Sequence, residues 1–279
     1  MKLLRYGSRG QEKPGLLDRD GKLRDLSGTI SDLGPDQLSP AALDRIKKLD
    51  PASLPLVSGT PRIGPCVARV GKLVCVGLNY RDHADETKNP YPKEPVLFLK
   101  ATSTIVGPND DVVLPKGAQK GDWEVELGIV IGTRASYVAE SDWLKYVAGF
   151  CIVNDVSERD YQMNRGGQWT KGKSCDTFCP LGPWLVTPDE AGDPQGLDLL
   201  CEVGGEPMQK SNTRNMIFGC AHIVHYISQF MTLEPGDVIP TGTPAGVGLG
   251  RGRFLKAGET MRLTIAGLGE QKNRVVAWG

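Results

Sequence analysis

The sequence carries no surplus of charge: Lys and Arg together number 33, and so do Asp and Glu. No basic field exists to draw in nucleic acid or an anionic membrane surface. Nowhere do about 18 apolar residues run together, the length a helix needs to cross a bilayer. The opening MKLLRYGSRGQEKPG holds no apolar stretch of signal-peptide length. Histidine is scarce, three in 279 residues, and no G-x-S-x-G turn is present, so a serine–histidine–acid hydrolase lacks its parts. The seven cysteines, an odd number, lie without paired spacing, and Cys75, Cys151 and Cys220 sit in apolar runs. They are expected to be buried thiols of a reducing compartment. Repeats, heptads and low-complexity tracts are also missing. A soluble cytoplasmic protein is expected, with a small-molecule partner and neither a nucleic-acid nor a membrane partner.

What is abundant is glycine, 35 residues, and proline, 20, a composition that favours short strands and tight turns. A hairpin is expected over residues 15–26, turning at Asp20-Gly21, followed by a short helix from Ala41 to Leu49, capped by Ser39-Pro40. From Val70 on, strands dominate, among them 124–131, 147–153, 182–186, 197–203, 260–265 and 275–278. One long amphipathic helix is expected from Arg214 to Leu233. Many strands around one main helix predict a sheet-rich α+β fold. Residues 1–68 are expected as a small N-terminal α+β domain and 69–279 as the chemical domain.

The chemistry concentrates in three places. In Gly121-Asp122-Trp123-Glu124-Val125-Glu126-Leu127 a strand would put Glu124 and Glu126 on one face and Val125, Leu127, Ile129 and Ile131 on the other. Paired carboxylates repel unless a cation lies between them or one holds a proton. Asp155, at the end of the apolar run 147–153, would complete three hard oxygen ligands, a set suited to Mg²⁺ or Mn²⁺; a solvated acidic face is the plain alternative. In Asn79-Tyr80-Arg81-Asp82-His83-Ala84-Asp85-Glu86, a helix from Arg81 would bring His83 and Glu86 together at i,i+3. A carboxylate partner makes the imidazole a better base for water; a histidine in a polar turn is the alternative. The proline-rich 87–97 segment reads as a lid or as a plain connector. The basic 169–180 segment offers Lys171 and Lys173 for a substrate carboxylate or enolate oxygen, and the residues alone do not choose between them. His222 and His225 lack a third soft ligand and read as helix-edge residues, and Cys175 and Cys179 as structural. Thr241 to Gly252, glycine-rich after a strand, leads into a strand and not a helix. It reads as a loop that meets a carboxylate rather than a dinucleotide.

Taken in order, N-Y-R-D-H-x-x-E at 79–86, E-V-E-L-G at 124–128, N-D-V-x-x-R-D-x-Q at 154–162, K-S-x-D-T-x-C-P at 173–180 and T-G-T-P-x-G-V-G at 241–248 resemble the fumarylacetoacetate hydrolase superfamily from about residue 70 to the end. The resemblance implies a mixed β-sandwich roll with a small N-terminal domain, usually a homodimer, holding Mg²⁺ or Mn²⁺ and acting on 2-oxo acids or 1,3-dicarbonyl compounds. It implies metal ligation by Glu124, Glu126 and Asp155, and water activation by His83 with Glu86. It places substrate contacts on Lys173, Arg159 and Gln162, and puts Thr243 on the substrate carboxylate. The implied reaction is hydrolysis of a 2,4-dioxo acid, an acylpyruvate or a 2,4-diketo-3-deoxy sugar acid, to pyruvate and a second acid. Decarboxylases and isomerases of 2-oxo dicarboxylic acids such as oxaloacetate share the motifs and are the alternative.

Overall fold

The computed structural model describes residues 1–279, and its backbone is organised by one ten-stranded sheet and one five-stranded sheet. Across the large sheet the strands run Leu23–Asp25, Lys13–Leu17, Lys2–Tyr6, Cys179–Val186, Val147–Asn154, Val125–Ile131, Val238–Pro240, Leu73–Gly77 and Val96–Lys100, with the short Ile105–Val106 paired separately on Cys179–Val186. The smaller sheet orders Glu206–Asn212, Asp198–Val203, Thr260–Ile265, Gly269–Ala277 and Val112–Leu114. Sequence alternation fixes how they stack. Val125, Leu127, Ile129 and Ile131 join Leu199, Val203, Leu263, Ile265 and Val275 in one apolar core, which also takes Ile223, Val224 and Ile227 from the helix Cys220–Phe230. Val130, on the opposite face of its strand, joins a second core with Leu3, Leu16, Leu43 and Ile46. The central strands are therefore covered on both faces, which is why every residue of Val125–Ile131 is buried. The expected sheet-rich α+β architecture is what is found.

Residues 1–68 add their three strands to this same sheet: Lys2 and Leu3 pair with Val186 and Leu185. The hairpin turns as expected, with Leu17 opposite Leu23 and Gly21 at a φ of 75°, and Asp18 accepts the Asp20 and Lys22 N–H groups. The following helix spans Pro40–Lys47, with the Ser39 hydroxyl accepting from the Ala42 N–H.

Two expectations are corrected. The long helix does not begin at Arg214: residues Thr213–Asn215 form a single 3-10 turn and the helix runs Cys220–Phe230. Asn79 causes the break, since its carbonyl and side-chain oxygens take the Ile217 and Phe218 N–H groups and keep them from helical pairing. The last strand begins not at Val275 but at Gly269, forming a hairpin with Thr260–Ile265. Its outward-facing half is charged, so apolar patterning hides it.

Candidate active site: a buried acid cluster facing a histidine–glutamate pair

Antiparallel pairing assembles the acids. Val125–Ile131 lies beside Val147–Asn154 with Glu126 opposite Val153 and Val125 opposite Asn154. The Asp155 N–H then donates to the Glu124 carbonyl at 3.0 Å. The strand end of one partner thus meets the strand start of the other. The candidate ligand oxygens of Glu124, Glu126 and Asp155 all lie within 4.8 Å of one another, and all three residues are buried.

Charge balance around these acids is incomplete. Four carboxylates (Asp122, Glu124, Glu126, Asp155) and three cations (Lys100, Arg159, Lys173) are buried together. Lys173 Nζ donates to Glu124 and Asp155, at 2.7 Å each. Arg159 donates to Glu124 at 2.5 Å and to Asp122 at 2.7 Å, and Lys100 Nζ donates to Asp155 and to the Val156 carbonyl. Burial alone would raise the Glu124 carboxyl, but Lys173 and Arg159 outweigh it and hold the group far below the usual carboxylate range. Burial would lower the Lys173 ammonium, yet Asp155 and Glu124 raise it above its ordinary value. Glu126 has no such partner. It accepts only the Gly242 N–H, at 2.8 Å, and burial, reinforced by the charges of Asp155 and Glu124, pushes its carboxyl well above normal. Gly242 makes that contact at a φ of 97°, where an added Cβ would lie 2.8 Å from the Asn79 Cβ. This oxygen set could hold a divalent cation. With three carboxylates and no thiolate or imidazole within the cluster, the donors fit Mg²⁺ or Mn²⁺.

Glu124 and Glu126, with Asp155 buried behind them, open onto a cavity of about 600 Å³ whose lining also includes His83 and Glu86. His83 and Glu86 lie on the helix Arg81–Glu86. That helix is pinned to the smaller sheet by Asp82, whose carboxylate accepts from the Ser211 hydroxyl at 2.5 Å. His83 Nδ1 is buried without a hydrogen bond, 3.6 Å from Glu86 Oε2. This is an ion-pair distance that a shift of well under an ångström would turn into a hydrogen bond. Glu86 is itself held by the Gly246 N–H at 3.0 Å. Burial raises its carboxyl, but His83 and the Gly246 N–H outweigh that and leave it below the ordinary value. Gly250 packs so closely on Glu86 that a Cβ there would lie 2.7 Å from Cδ.

Arg159, Gln162, Lys173 and Thr243 all line the same cavity. Gln162 Oε1 accepts from Arg159 at 2.9 Å, which orients its amide nitrogen as a free donor. The Thr243 hydroxyl donates to the Val125 carbonyl at 3.0 Å and accepts from Gln209 at 2.7 Å. Its hydrogen is therefore committed, and only the backbone N–H remains to meet a carboxylate.

Sequence reasoning missed Lys100 and Asp122. Lys100 ends the run Val-Leu-Phe-Leu-Lys, and a charge closing an apolar strand was the available signal. Asp122 sits in the same acidic stretch as Glu124; it caps the Gly248 and Leu249 N–H groups at 2.6 and 3.0 Å and orients Arg159. Lys171 lies apart, donating to the Arg165 carbonyl at the surface. His222 stacks between Phe218 and Tyr226, and His225 Nδ1 contacts the Val138 carbonyl at 2.7 Å. All seven cysteines are free thiols.

Known proteins carry the same scaffold. A profile of the fumarylacetoacetate (FAA) hydrolase C-terminal domain matches residues 72–276. A Burkholderia ambifaria protein, provisionally named a hydrolase, is 62% identical over 274 residues, 97% of each chain. A fumarylacetoacetate hydrolase from Exiguobacterium antarcticum superposes with a TM-score of 0.88 at 35% identity, covering 100% of both chains. A 2-hydroxyhepta-2,4-diene-1,7-dioate isomerase from Mycobacterium marinum gives 0.77 at 35%, covering 100% of this chain and 99% of its own. Maleylpyruvate hydrolase from Sphingobium sp. SYK-6, solved with manganese(II) and pyruvate, gives 0.84 at 28%, again over 100% of both chains. The chain belongs to the fumarylacetoacetate hydrolase family.

Proposed function

We propose that this chain is a Mg²⁺- or Mn²⁺-dependent hydrolase that splits the C3–C4 bond of a 2,4-dioxo acid, giving pyruvate and a second carboxylic acid. The observation that carries this is the pairing, in one cavity, of an acid cluster short of positive charge with the His83–Glu86 pair. The family's maleylpyruvate hydrolase, solved with manganese(II) and pyruvate, supports the same assignment. A cation held by Glu124, Glu126 and Asp155 would supply the positive charge that binds the 2-oxo acid end and offsets the charge developing on its oxygens.

The chain's own residues supply the rest. With Nδ1 facing Glu86, His83 has Nε2 to take a proton from water as the water oxygen bonds to C4. The C3–C4 bond then breaks, its electron pair passes to the pyruvate half as an enolate, and protonation at C3 completes pyruvate. Lys173, kept fully charged by its acidic neighbours, offsets the enolate charge. Arg159 and the free amide of Gln162 orient the acid end, and the Thr243 N–H meets its carboxylate. Residues 1–68 serve as a structural unit of a cytoplasmic homodimer.

The isomerase relative at 35% identity favours one competing reading, an isomerase or a decarboxylase of oxaloacetate type, for which His83 has no water to activate. The two separate by product: a panel of acylpyruvates and diketo-deoxy sugar acids, assayed with added Mg²⁺ or Mn²⁺ by coupled pyruvate detection, should release pyruvate and a second acid in equal amounts. Release of CO₂, or a shifted double bond without cleavage, would replace hydrolysis with the alternative.

A further inference from the structure

The cavity is chemically two-ended. Its only Lys or Arg side chains, Arg159 and Lys173, lie at the acid cluster, and both are committed there as ion pairs. The rest of the wall carries the apolar side chains Val76, Leu78, Phe98, Met163, Trp169 and Leu249, with Thr87 and Asn89 as neutral polar groups near His83 and Glu86. Phe98 and Trp169 meet edge to face with ring centroids 5.3 Å apart. The seat for Trp169 exists because residue 77 is glycine: a Cβ there would lie 2.6 Å from the indole ring. Phe98 in turn turns its ring toward Lys173 Nζ, 5.2 Å from the centroid, so the aromatic wall starts where the acid-binding end stops. The charged group lining the cavity away from the acid cluster is the carboxylate of Glu86, beside His83.

We infer that the part of the substrate beyond C4 is uncharged, seated on the Phe98–Trp169 wall with Met163 and Leu249 at its rim, and that a substrate with a second carboxylate there is rejected. This rests on the 2-oxo acid reading above and narrows it. A terminal carboxylate in that position would be desolvated against a largely aromatic and aliphatic wall, met by the neutral Thr87 and Asn89 but by no cation, and it would share the cavity with Glu86. Neutral alkyl, aryl or hydroxylated tails meet neither penalty, and their C–H faces suit aromatic rings.

The test uses binding, so that it does not depend on turnover. The Mg²⁺-loaded protein is titrated calorimetrically with 2-oxohexanoate and with 2-oxoadipate, which share the 2-oxo acid end and differ by the terminal carboxylate. The neutral-tailed acid should bind more tightly by about tenfold or more. Met163→Arg, which places a cation at the rim, should shrink or reverse that ratio, with Met163→Leu as the control that leaves it in place. Equal or tighter binding of 2-oxoadipate by the wild-type protein overturns the inference, as does failure of both acids to bind. A preserved preference for the neutral tail without pyruvate release from any acylpyruvate would instead refute the hydrolytic reaction and leave the tail assignment standing.

Discussion

Replacing Glu126 by Gln should reverse its effect on stability depending on whether metal is present. In the metal-free protein Glu126 is the acid with no cationic partner, and burial plus the neighbouring Asp155 and Glu124 charges raise its carboxyl well above normal. The unfolded chain releases this proton near its ordinary value of about 4.3, while the folded chain keeps it to higher pH. The native state thus binds more protons over that window, and stability falls as pH rises from the unfolded value through the folded one. Glutamine cannot ionise and escapes the loss. In EDTA at neutral pH, Glu126→Gln should therefore melt at or above the wild-type temperature. Metal at about 100 times its Kd stabilises a folded protein by about 2.7 kcal/mol, a rise of roughly 5 °C for a chain of this size. The wild type should show that rise. The variant, having lost a charge and a ligand together, should lose most of it, because even outer-sphere partners of a metal are worth about 10–100-fold in affinity. Thermal melts with and without Mg²⁺, repeated across pH, read both effects. A variant that keeps the full metal-induced rise would show that Glu126 does not hold the ion.

Three further changes probe the rest of the site. His83→Ala should lower kcat by ~10²–10⁴, as expected for a lost general base, with metal affinity by calorimetry unchanged; undiminished pyruvate release would remove His83 from the reaction. Gly250→Ala sets a Cβ 2.7 Å from Glu86 Cδ and should displace the carboxylate from His83, costing up to ~10²-fold in kcat; wild-type kinetics would show that Glu86 does not position the imidazole. Lys100→Met leaves the buried Asp155 with Lys173 as its one cation and should cost about 3 kcal/mol in urea unfolding without metal. No change in the midpoint would mean that Lys100 is not needed to balance the cluster.

The sequence displayed the parts of the site that depend on local spacing. Alternation put Glu124 and Glu126 opposite an apolar strand face, an apolar run ended at Asp155, and i,i+3 spacing joined His83 to Glu86; each recurs in the fold at the expected position. Contacts between distant segments were not legible. Lys100 pairs with Asp155 although Leu73–Gly77, Val238–Pro240 and Val125–Ile131 lie between their strands in the sheet order, a contact that no local pattern encodes. The helix expected from Arg214 failed for the same reason: Asn79, far away in sequence, captures the Ile217 and Phe218 N–H groups and keeps them out of the helix, which starts only at Cys220. Thr243 shows a subtler limit. Its motif position is right for a cavity residue, yet only the fold reveals that its hydroxyl is committed to Val125.

Hydrolysis by attack of water on C4 is the central claim, and isotope tracing tests it most directly. The metal-loaded enzyme is given an acylpyruvate in H₂¹⁸O, and both products are analysed by mass spectrometry after correction for spontaneous exchange of the keto groups. Water bonded to C4 must leave its oxygen in the carboxylate of the second acid, so one ¹⁸O per turnover should appear there beyond the exchange background. The pyruvate carboxylate should stay unlabelled. A second acid without solvent oxygen, or CO₂ in its place, would contradict hydrolysis and move the chemistry to decarboxylation.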